Sequence, residues 1–317
     1  MYSRIVGTGK YLPERILTNA ELERMVETTD EWIRTRTGIE LRHIAAENEF
    51  TSDLAHKAGL AALQSAGLTP NDIDLVLVGT TTPDLIFPNV ACLVQDKLGI
   101  KACPAFSVEA ACSGFLYGLV VADQFLRLGQ AKRALVIGAE TMSRIMDWTD
   151  RETCVLFGDG AGAVILEASD TPGIIYSTLG ADGRYRDLLY ASSGVSLRQR
   201  EGAALRMKGN EVFKVAVKTL ENLVDDVVEK NHLEKGQIDW LIPHQANIRI
   251  ITATAKRLEL PMERVILTVR EHGNTSAASV PMALDTAIRD GRIKRGDLLL
   301  LEAFGGGFTW GASLIRY

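Results

Sequence analysis

The chain has 317 residues, 46% of them hydrophobic and 24% charged, and a formal net charge of −5. That is a globular composition with ample material for a large core, and a negative balance without a dense basic stripe excludes a nucleic-acid binder. No apolar run reaches the length of a membrane span, and the first residues lack the cationic-then-apolar pattern of a signal peptide. The four cysteines (Cys92, Cys103, Cys112, Cys154) form no Cys-x-x-Cys pair and no zinc-ligand spacing with the five histidines. Free thiols, no metal site and a reduced, cytoplasmic setting are expected.

Taken in order, Tyr2 to Gly9 reads as a short strand. Thr18 or Asn19 caps a helix that opens at Asn-Ala-Glu-Leu. Trp32 follows between Arg34 and Arg36, either as a packing residue with a solvated face or as a stacking surface beside phosphate-holding arginines. Thr51 to Ala66 has helical spacing and ends at Gly67. Asp72 to Gly79 is a short apolar run of parallel-strand type. Asn89 to Leu98 is helical. Next comes a long apolar pattern from Ser107 to Gly129, expected as a buried helix with Cys112 in its first turn, and then the strand Arg133–Gly138. The recurrence of helix, glycine, short loop and apolar strand predicts an α/β fold with a mainly parallel sheet.

A lone cysteine is most often an inert packing residue. At a helix start, however, the dipole and free backbone N–H groups favour the thiolate. Ala110, Ala111, Ser113 and Gly114 leave room beside the sulfur.

The second half repeats the first. Gly67 to Val78 resembles His232 to Pro243, roughly 165 positions later. Cys112-Ser-Gly with its helix, Gly129 and the following strand matches Asn274-Thr-Ser with its helix, Gly291 and Leu298–Glu302. Cys112 and Asn274 are thus expected at corresponding places in two copies of one unit, and two pseudo-symmetric halves would bring both helix starts to a shared centre.

Phe157-Gly158-Asp-Gly160-Ala-Gly162-Ala163 formally satisfies a dinucleotide-binding pattern. Val164-Ile-Leu rather than a helix follows, so no nicotinamide site is expected; a tight turn between strands is the reading here. Phe304-Gly305-Gly306-Gly307-Phe308 differs, because glycines after an apolar strand allow a close backbone approach and an N–H facing an oxyanion. Cys112, Pro243-His244-Gln-Ala-Asn247 and His272-Gly-Asn274 all fall at strand ends. A thiol, an imidazole and a carboxamide suit acyl transfer. His43, His56 and His232 lie in polar or helical surroundings; His272 is the rival of His244.

Over its whole length the sequence resembles the β-ketoacyl-acyl-carrier-protein synthase III family, condensing enzymes of the thiolase superfamily. The resemblance rests on Gly7-Thr-Gly-Lys-Tyr-Leu-Pro, Asp30-Glu-Trp-Ile, Arg36-Thr-Gly-Ile, Ala110-Ala-Cys112-Ser-Gly-Phe, Phe157-Gly-Asp-Gly-Ala-Gly, Pro243-His-Gln-Ala-Asn247, His272-Gly-Asn274-Thr-Ser-Ala-Ala-Ser and Glu302-Ala-Phe-Gly-Gly-Gly-Phe-Thr-Trp-Gly. It implies a thiolase-like fold of five layers, α-β-α-β-α, with halves at residues 1–170 (Cys112) and 171–317 (His244, Asn274), and a homodimer. It implies that Cys112 takes an acyl group from acetyl-CoA or another short acyl-CoA, and that malonyl-acyl-carrier protein then condenses with it, with loss of carbon dioxide. Catalytic roles fall to Cys112, His244 and Asn274, the oxyanion hole to the N–H groups of Cys112 and Gly306, and exclusion of water to Phe304. His244 is expected neutral. The resemblance also assigns Thr28, Trp32, Arg36, Arg151, Gly209, Phe213 and Asn247 to coenzyme A. Phe87 (from the other subunit), Met142, Phe157, Leu189 and Leu205 fall to the acyl pocket. No cofactor beyond the substrates is implied.

Acyl carrier protein is acidic, and its expected contacts are Lys214, Gln245, Ala246, Asn247, Ile248, Arg249, Lys256 and Arg257. Arg249 and Lys256 are two turns apart and share one side of a helix; a merely solvated face is the plain alternative. Three rival functions stand beside this one: a related condensing enzyme of secondary metabolism with another acyl-CoA primer, a non-catalytic partner subunit, and a thiol hydrolase. The intact Cys112, His244 and Asn274 set opposes the second, and Asn274 in place of a carboxylate opposes the third.

Overall fold

The computed structural model describes residues 1–192, 194–197 and 204–317. The first half holds β1 (Tyr2–Tyr11), β2 (Arg15–Thr18), α1 (Asn19–Leu22), α2 (Asp30–Thr37), β3 (Leu41–Ile44), α3 (Thr51–Ala66), β4 (Leu75–Gly79), α4 (Val90–Leu98), β5 (Ala105–Val108), α5 (Gly114–Arg127), β6 (Arg133–Thr141) and β7 (Asp159–Ser169). After it come β8 (Ile174–Ala181), the small pair β9 (Leu189–Ala191) and β10 (Leu205–Met207), α6 (Gly209–Lys230), β11 (Trp240–Pro243), α7 (Ile248–Arg257), α8 (Val269–His272), α9 (Ser279–Arg289), β12 (Leu298–Gly305) and β13 (Thr309–Arg316).

Helix boundaries follow the caps. Thr18 closes a capping box with Glu21, Thr29 caps α2 and Asn89 caps α4. Gly38, Gly67 and Gly99 end their helices in the left-handed conformation that glycine adopts without strain.

Two large sheets form, in the orders β1-β7-β6-β4-β5 and β11-β12-β13-β8, beside the two-stranded pairs β2-β3 and β9-β10. Read from β8, the second repeats the first: two antiparallel neighbours, then a parallel one, then a parallel bridge between Leu241 and Val265 where the fifth strand would lie. Helices α3 and α4 cover one outer face, α5 and α9 lie between the sheets, and α6 and α7 cover the other outer face. Period-two strands feed these layers. Leu75, Leu77, Leu299 and Leu301 point to the central layer, whereas Val76, Val78, Leu298 and Leu300 point outward. Both faces of each sheet are buried, which is why the central strands read as unbroken apolar runs.

The repeat has a definite register. Asp74 donates its N–H to Arg133 O at 2.9 Å and accepts the Arg133 N–H at 3.1 Å; Asp239 does the same with Leu298, at 2.9 and 2.8 Å. Extended along the chain, this register pairs Ala111 with Ser276 and Cys112 with Ala277. Two further features agree. Ala111 and Ser276 are both at positive φ, 46° and 49°. The Glu109 carboxylate accepts the Ala111 N–H at 3.1 Å, as Asn274 Oδ1 accepts the Ser276 N–H at 2.9 Å. The expected equivalence of Cys112 and Asn274 is therefore corrected: Asn274 is the counterpart of Glu109. The helix ends misled the comparison, because α9 has 11 residues against 14 in α5.

The glycines of the Phe157–Ala163 motif do not form a turn, as expected from sequence, but run into and along β7. They make room for α9. A Cβ on Gly160 would stand 2.9 Å from the Met282 sulfur, and one on Gly162 would stand 2.5 Å from Met282 N. Gly162→Ala is predicted to destabilise the fold by about 1–3 kcal/mol through overpacking against rigid backbone. A melting curve showing a clear fall in Tm would bear this out; an unchanged Tm would refute it.

Candidate active site

Cys112 does not lie in the first α-helical turn. It sits in a 3-10 turn, Ala111–Ser113, that leads into α5. The turn is pressed against the end of β12: a Cβ on Gly305 would stand 2.6 Å from Cys112 N, and one on Gly306 would stand 3.7 Å from the Ala111 Cβ. Burial pushes the thiol up to about 12, with the Ser276 hydroxyl as the largest opposing influence. The thiolate preference expected from a helix start is thus overridden at rest, because desolvation acts on the whole charge and the short first turn offsets only part of it.

His244 follows β11 and is 7% exposed. Its Nδ1 lies 2.6 Å from Ser279 Oγ at the start of α9, and Ser279 Oγ also accepts the Gln245 N–H at 3.3 Å. Burial pushes the imidazole down to about 3, so it is neutral at physiological pH. Glu302, whose backbone oxygen accepts the His244 N–H, is buried and pushed up to about 8. The surroundings of His244 therefore carry little charge at neutral pH.

Asn274 is clamped by backbone. Its N–H donates to Leu156 O at 2.9 Å, and its carbonyl accepts the Gly158 N–H at 3.0 Å. A Cβ on Gly158 would stand 2.8 Å from His272 O, so the glycine of this motif is what lets the two segments lie together. Because Asn274 Oδ1 accepts the Ser276 N–H, its Nδ2 hydrogens are left to donate elsewhere. His272, the sequence rival, stands edge-on to His43 and is likewise pushed down to about 3 by burial.

One cavity of about 310 Å³ joins these groups. Cys112, His244, Asn274 and Phe304 line it, with Phe157 and Leu189 beside them and Trp32, Arg36 and Arg151 toward the surface. Gly209, Phe213, Ala246, Asn247 and Arg249 line it as well. Thr28 does not, although its Oγ1 is buried without a partner among the described residues. Nor do Met142 and Leu205, which are buried in the core, or Phe87, which is 83% exposed. The guanidinium carbons of Arg36 and Arg151 stand 5.1 and 5.3 Å from the centre of the Trp32 ring. A flat ring between Trp32 and Arg151 needs two stacking distances of about 3.5 Å, so Arg151 must move to admit one.

The basic face also differs in detail from the sequence reading. Arg249 lies over the Phe213 ring at 4.8 Å, Arg257 is paired with Asp225, and Lys214, Lys256 and half-buried Ile248 lie outside the cavity. Gln245 is 0% exposed. Its amide donates to Pro243 O and Ile266 O and accepts the N–H groups of Thr268 and Val269. The expectation that its side chain meets a partner is corrected: this amide ties β11 to the following segment.

Two supporting residues escaped the sequence reading. Ser279 closes the His272-Gly-Asn274-Thr-Ser-Ala-Ala-Ser motif, but the motif gave it no role. Arg42, in β3, is fully buried and donates to Val155 O at 2.7 Å, Asn19 Oδ1 at 2.8 Å and Leu17 O at 3.2 Å. It holds the segment that holds Asn274.

Two stacked α/β units meeting at a buried cysteine, with a neutral histidine and an asparagine on one cavity, define a thiolase-like condensing enzyme. The 3-oxoacyl-[acyl-carrier-protein] synthase III model matches residues 106–183, and the model of that enzyme's C-terminal part matches residues 228–317. A β-ketoacyl-[acyl-carrier-protein] synthase III from Xanthomonas campestris pv. campestris is 61% identical, covering 100% of this chain and 99% of the relative. The crystal structure of 3-oxoacyl-[acyl-carrier-protein] synthase III from Aquifex aeolicus superposes with a TM-score of 0.95 at 49% identity, covering 99% of this chain and 100% of that one. A priming β-ketosynthase of a polyketide pathway has the same TM-score at 35% identity, covering 99% and 96%. The chain belongs to the 3-oxoacyl-[acyl-carrier-protein] synthase III family, and is an acyltransferase that forms carbon–carbon bonds.

Because burial holds His244 far below the ordinary imidazole range, its ring is predicted to stay neutral from pH 5 to 8. An NMR titration of the histidine rings, assigned with His244→Ala, checks this. A His244 resonance that titrates near pH 6.5 would contradict the burial argument.

Proposed function

We propose that this protein performs the initiating condensation of fatty acid synthesis. Cys112 takes an acyl group from acetyl-CoA or another short acyl-CoA as a thioester. Malonyl-acyl-carrier protein then loses carbon dioxide, and the resulting enolate attacks the acyl-Cys112 carbonyl to give acetoacetyl-acyl-carrier protein. The single observation that carries this reading is the shared cavity of Cys112, His244, Asn274 and Phe304, reached past Trp32 and Arg151. A secondary-metabolism role is not favoured, since full-length identity to the named synthase III relative is 61% against 35% to the polyketide ketosynthase.

Each role has a physical basis. If Ser279 donates to Nδ1, the proton of neutral His244 sits on Nε2. That N–H and the Asn274 Nδ2 are then two uncharged donors for an enolate oxygen. The N–H groups of Cys112 and Gly306 serve the oxyanion at the acyl-cysteine. Phe304, 6% exposed and 4.6 Å from the Phe308 ring, keeps water from the thioester and carbanion. Thiol, neutral donors and backbone N–H groups supply the nucleophile and the charge stabilisation, so the steps call on no metal or organic cofactor. Trp32, Arg36, Arg151, Gly209, Phe213 and Asn247 hold coenzyme A; Phe157 and Leu189 bound the acyl end. Lys214, Arg249 and Lys256, all exposed, offer positive charge to the acidic carrier protein. In this reading residues 1–170 bring the nucleophile and residues 171–317 the enolate donors.

Leu85, Ile86 and Phe87 form an apolar loop, 51%, 72% and 83% exposed. Such a patch on a protein with large cores favours a homodimer, with Phe87 closing the partner's acyl pocket. A cytoplasmic setting agrees with the four free cysteines, and no helix among the described residues is long and apolar enough to cross a membrane.

An intact-mass measurement after brief incubation with acetyl-CoA tests the priming step. One acetyl adduct is expected on the wild type and none on Cys112→Ser; no adduct with any acyl-CoA would sink the reading. His244→Ala and Asn274→Ala should keep the adduct and each lose about 10²–10³-fold in condensation rate, the usual effect of removing one oxyanion-hole donor. Phe87→Glu is predicted to halve the mass seen by light scattering, and an unchanged mass would remove the dimer assignment.

A further inference from the structure

Glu140, at the end of β6, is 0% exposed. Its carboxylate accepts from Thr82 Oγ1 at 2.6 Å, Thr80 Oγ1 at 3.1 Å, Thr81 Oγ1 at 3.2 Å and the Thr81 N–H at 3.1 Å. Hydroxyls and one backbone N–H surround it, and no cation forms a salt bridge with it among the described residues. An acid so placed is costly to bury, and the fold gains no ion pair from it.

The remaining contact leads to the nucleophile. Ser276 Oγ lies 3.1 Å from Glu140 Oε1 and 3.5 Å from Cys112 Sγ. The repeat shows that neither side chain is needed for the turn itself. The counterpart of Ser276 is Ala111, which holds the same positive φ without a hydroxyl. The counterpart of Glu140 in the shared register is Gly305, which has no side chain at all.

We propose that Ser276 and Glu140 form a proton relay for Cys112, with Glu140 holding the thiol proton while the sulfur is acylated. The proposal rests on Cys112 being the primed nucleophile. As the S–C bond to the acyl group forms, the Cys112 S–H proton passes to Ser276 Oγ and the Ser276 proton passes to Glu140. The C–S bond to coenzyme A breaks, and its thiolate takes a proton from solvent. In the condensation the enolate displaces Cys112 sulfur, which recovers its proton from Glu140 through Ser276. One proton is consumed overall, by coenzyme A. Glu140 acts only through Ser276 and is a positioning residue.

The electrostatics agree. A thiol pushed up to about 12 does not ionise into bulk water at neutral pH, and needs a base beside it as it attacks. Burial pushes Glu140 up to about 7, within the range where a carboxylate both accepts and returns a proton. The other groups facing this relay are Glu109, which acts on Cys112, the neutral His244 in the same cavity, and the hydroxyls of Thr80, Thr81 and Thr82.

The test is the rate of acetyl-adduct formation by quenched intact-mass measurement, from pH 5.5 to 9, for wild type, Ser276→Ala and Glu140→Gln. The wild-type rate is expected to rise with pH through an inflection near 7 as Glu140 ionises. Both variants should be slower by about 10²-fold at pH 7 and lack that inflection. Wild-type rates in Ser276→Ala would overturn the relay. So would a uniform slowing that keeps the inflection, because a purely structural fault lowers the rate without moving the profile. A wild type that takes no acetyl group is a different failure, and would remove the nucleophile assignment itself.

Discussion

Everything in this protein depends on two turns, one from each half, being brought into contact at its centre. Ala111–Ser113 follows β5 and Ser276–Ala278 follows the short helix α8; each passes through a residue at positive φ and starts a helix of the middle layer. They touch because glycines replace side chains at the crossing points: Gly79 against Gly114, Gly138 against Ala277, Gly305 against Cys112. A helix start carries free N–H groups and a dipole. Packing two starts against the ends of buried strands gathers chemistry at the one place where the layers open.

The same burial sets the electrical character of the site. Cys112 is held as a thiol, His244 and His272 as neutral rings, and Glu302 toward its acid form, in each case mainly by loss of solvent. A site of this kind stabilises charge that appears during reaction and carries little beforehand. Neutral donors held by Ser279, by the Leu156–Gly158 clamp and, at one remove, by buried Arg42 meet that need. The glycines of Phe157–Ala163 serve it too, by seating α9 and Asn274 rather than by cradling a phosphate.

Much of this was legible in the chain. Helical spacing, with the Gly67 stop for α3, predicted α3 and α4 almost to the residue, because both signals lie in adjacent residues. The recurrence of helix, glycine, short loop and apolar strand predicted an α/β fold, the five layers came from the family resemblance, and the Ile73-Asp74 and Ile238-Asp239 pair predicted the repeat. Cys112, His244, Asn274 and Phe304 were all singled out, and one cavity holds them together.

Properties that depend on neighbours distant in sequence were not legible. The repeat register slipped at Asn274, because helix lengths differ and the alignment is pinned by three-dimensional features such as the Asp74 and Asp239 hydrogen bonds. Gln245 looked available to a partner, and its amide is spent inside the fold. The thiol of Cys112 looked acidic from its helix, and turned out to be governed by desolvation from both halves at once. The sequence by itself determined which segments form helices and strands, that two such units exist, and which side chains can carry acyl transfer, because short-range sterics, capping and periodicity are written in adjacent residues. Only the tertiary structure decided which polar groups lose water and which find partners. Those outcomes depend on contacts such as Ser276 with Glu140, whose members lie far apart in the chain.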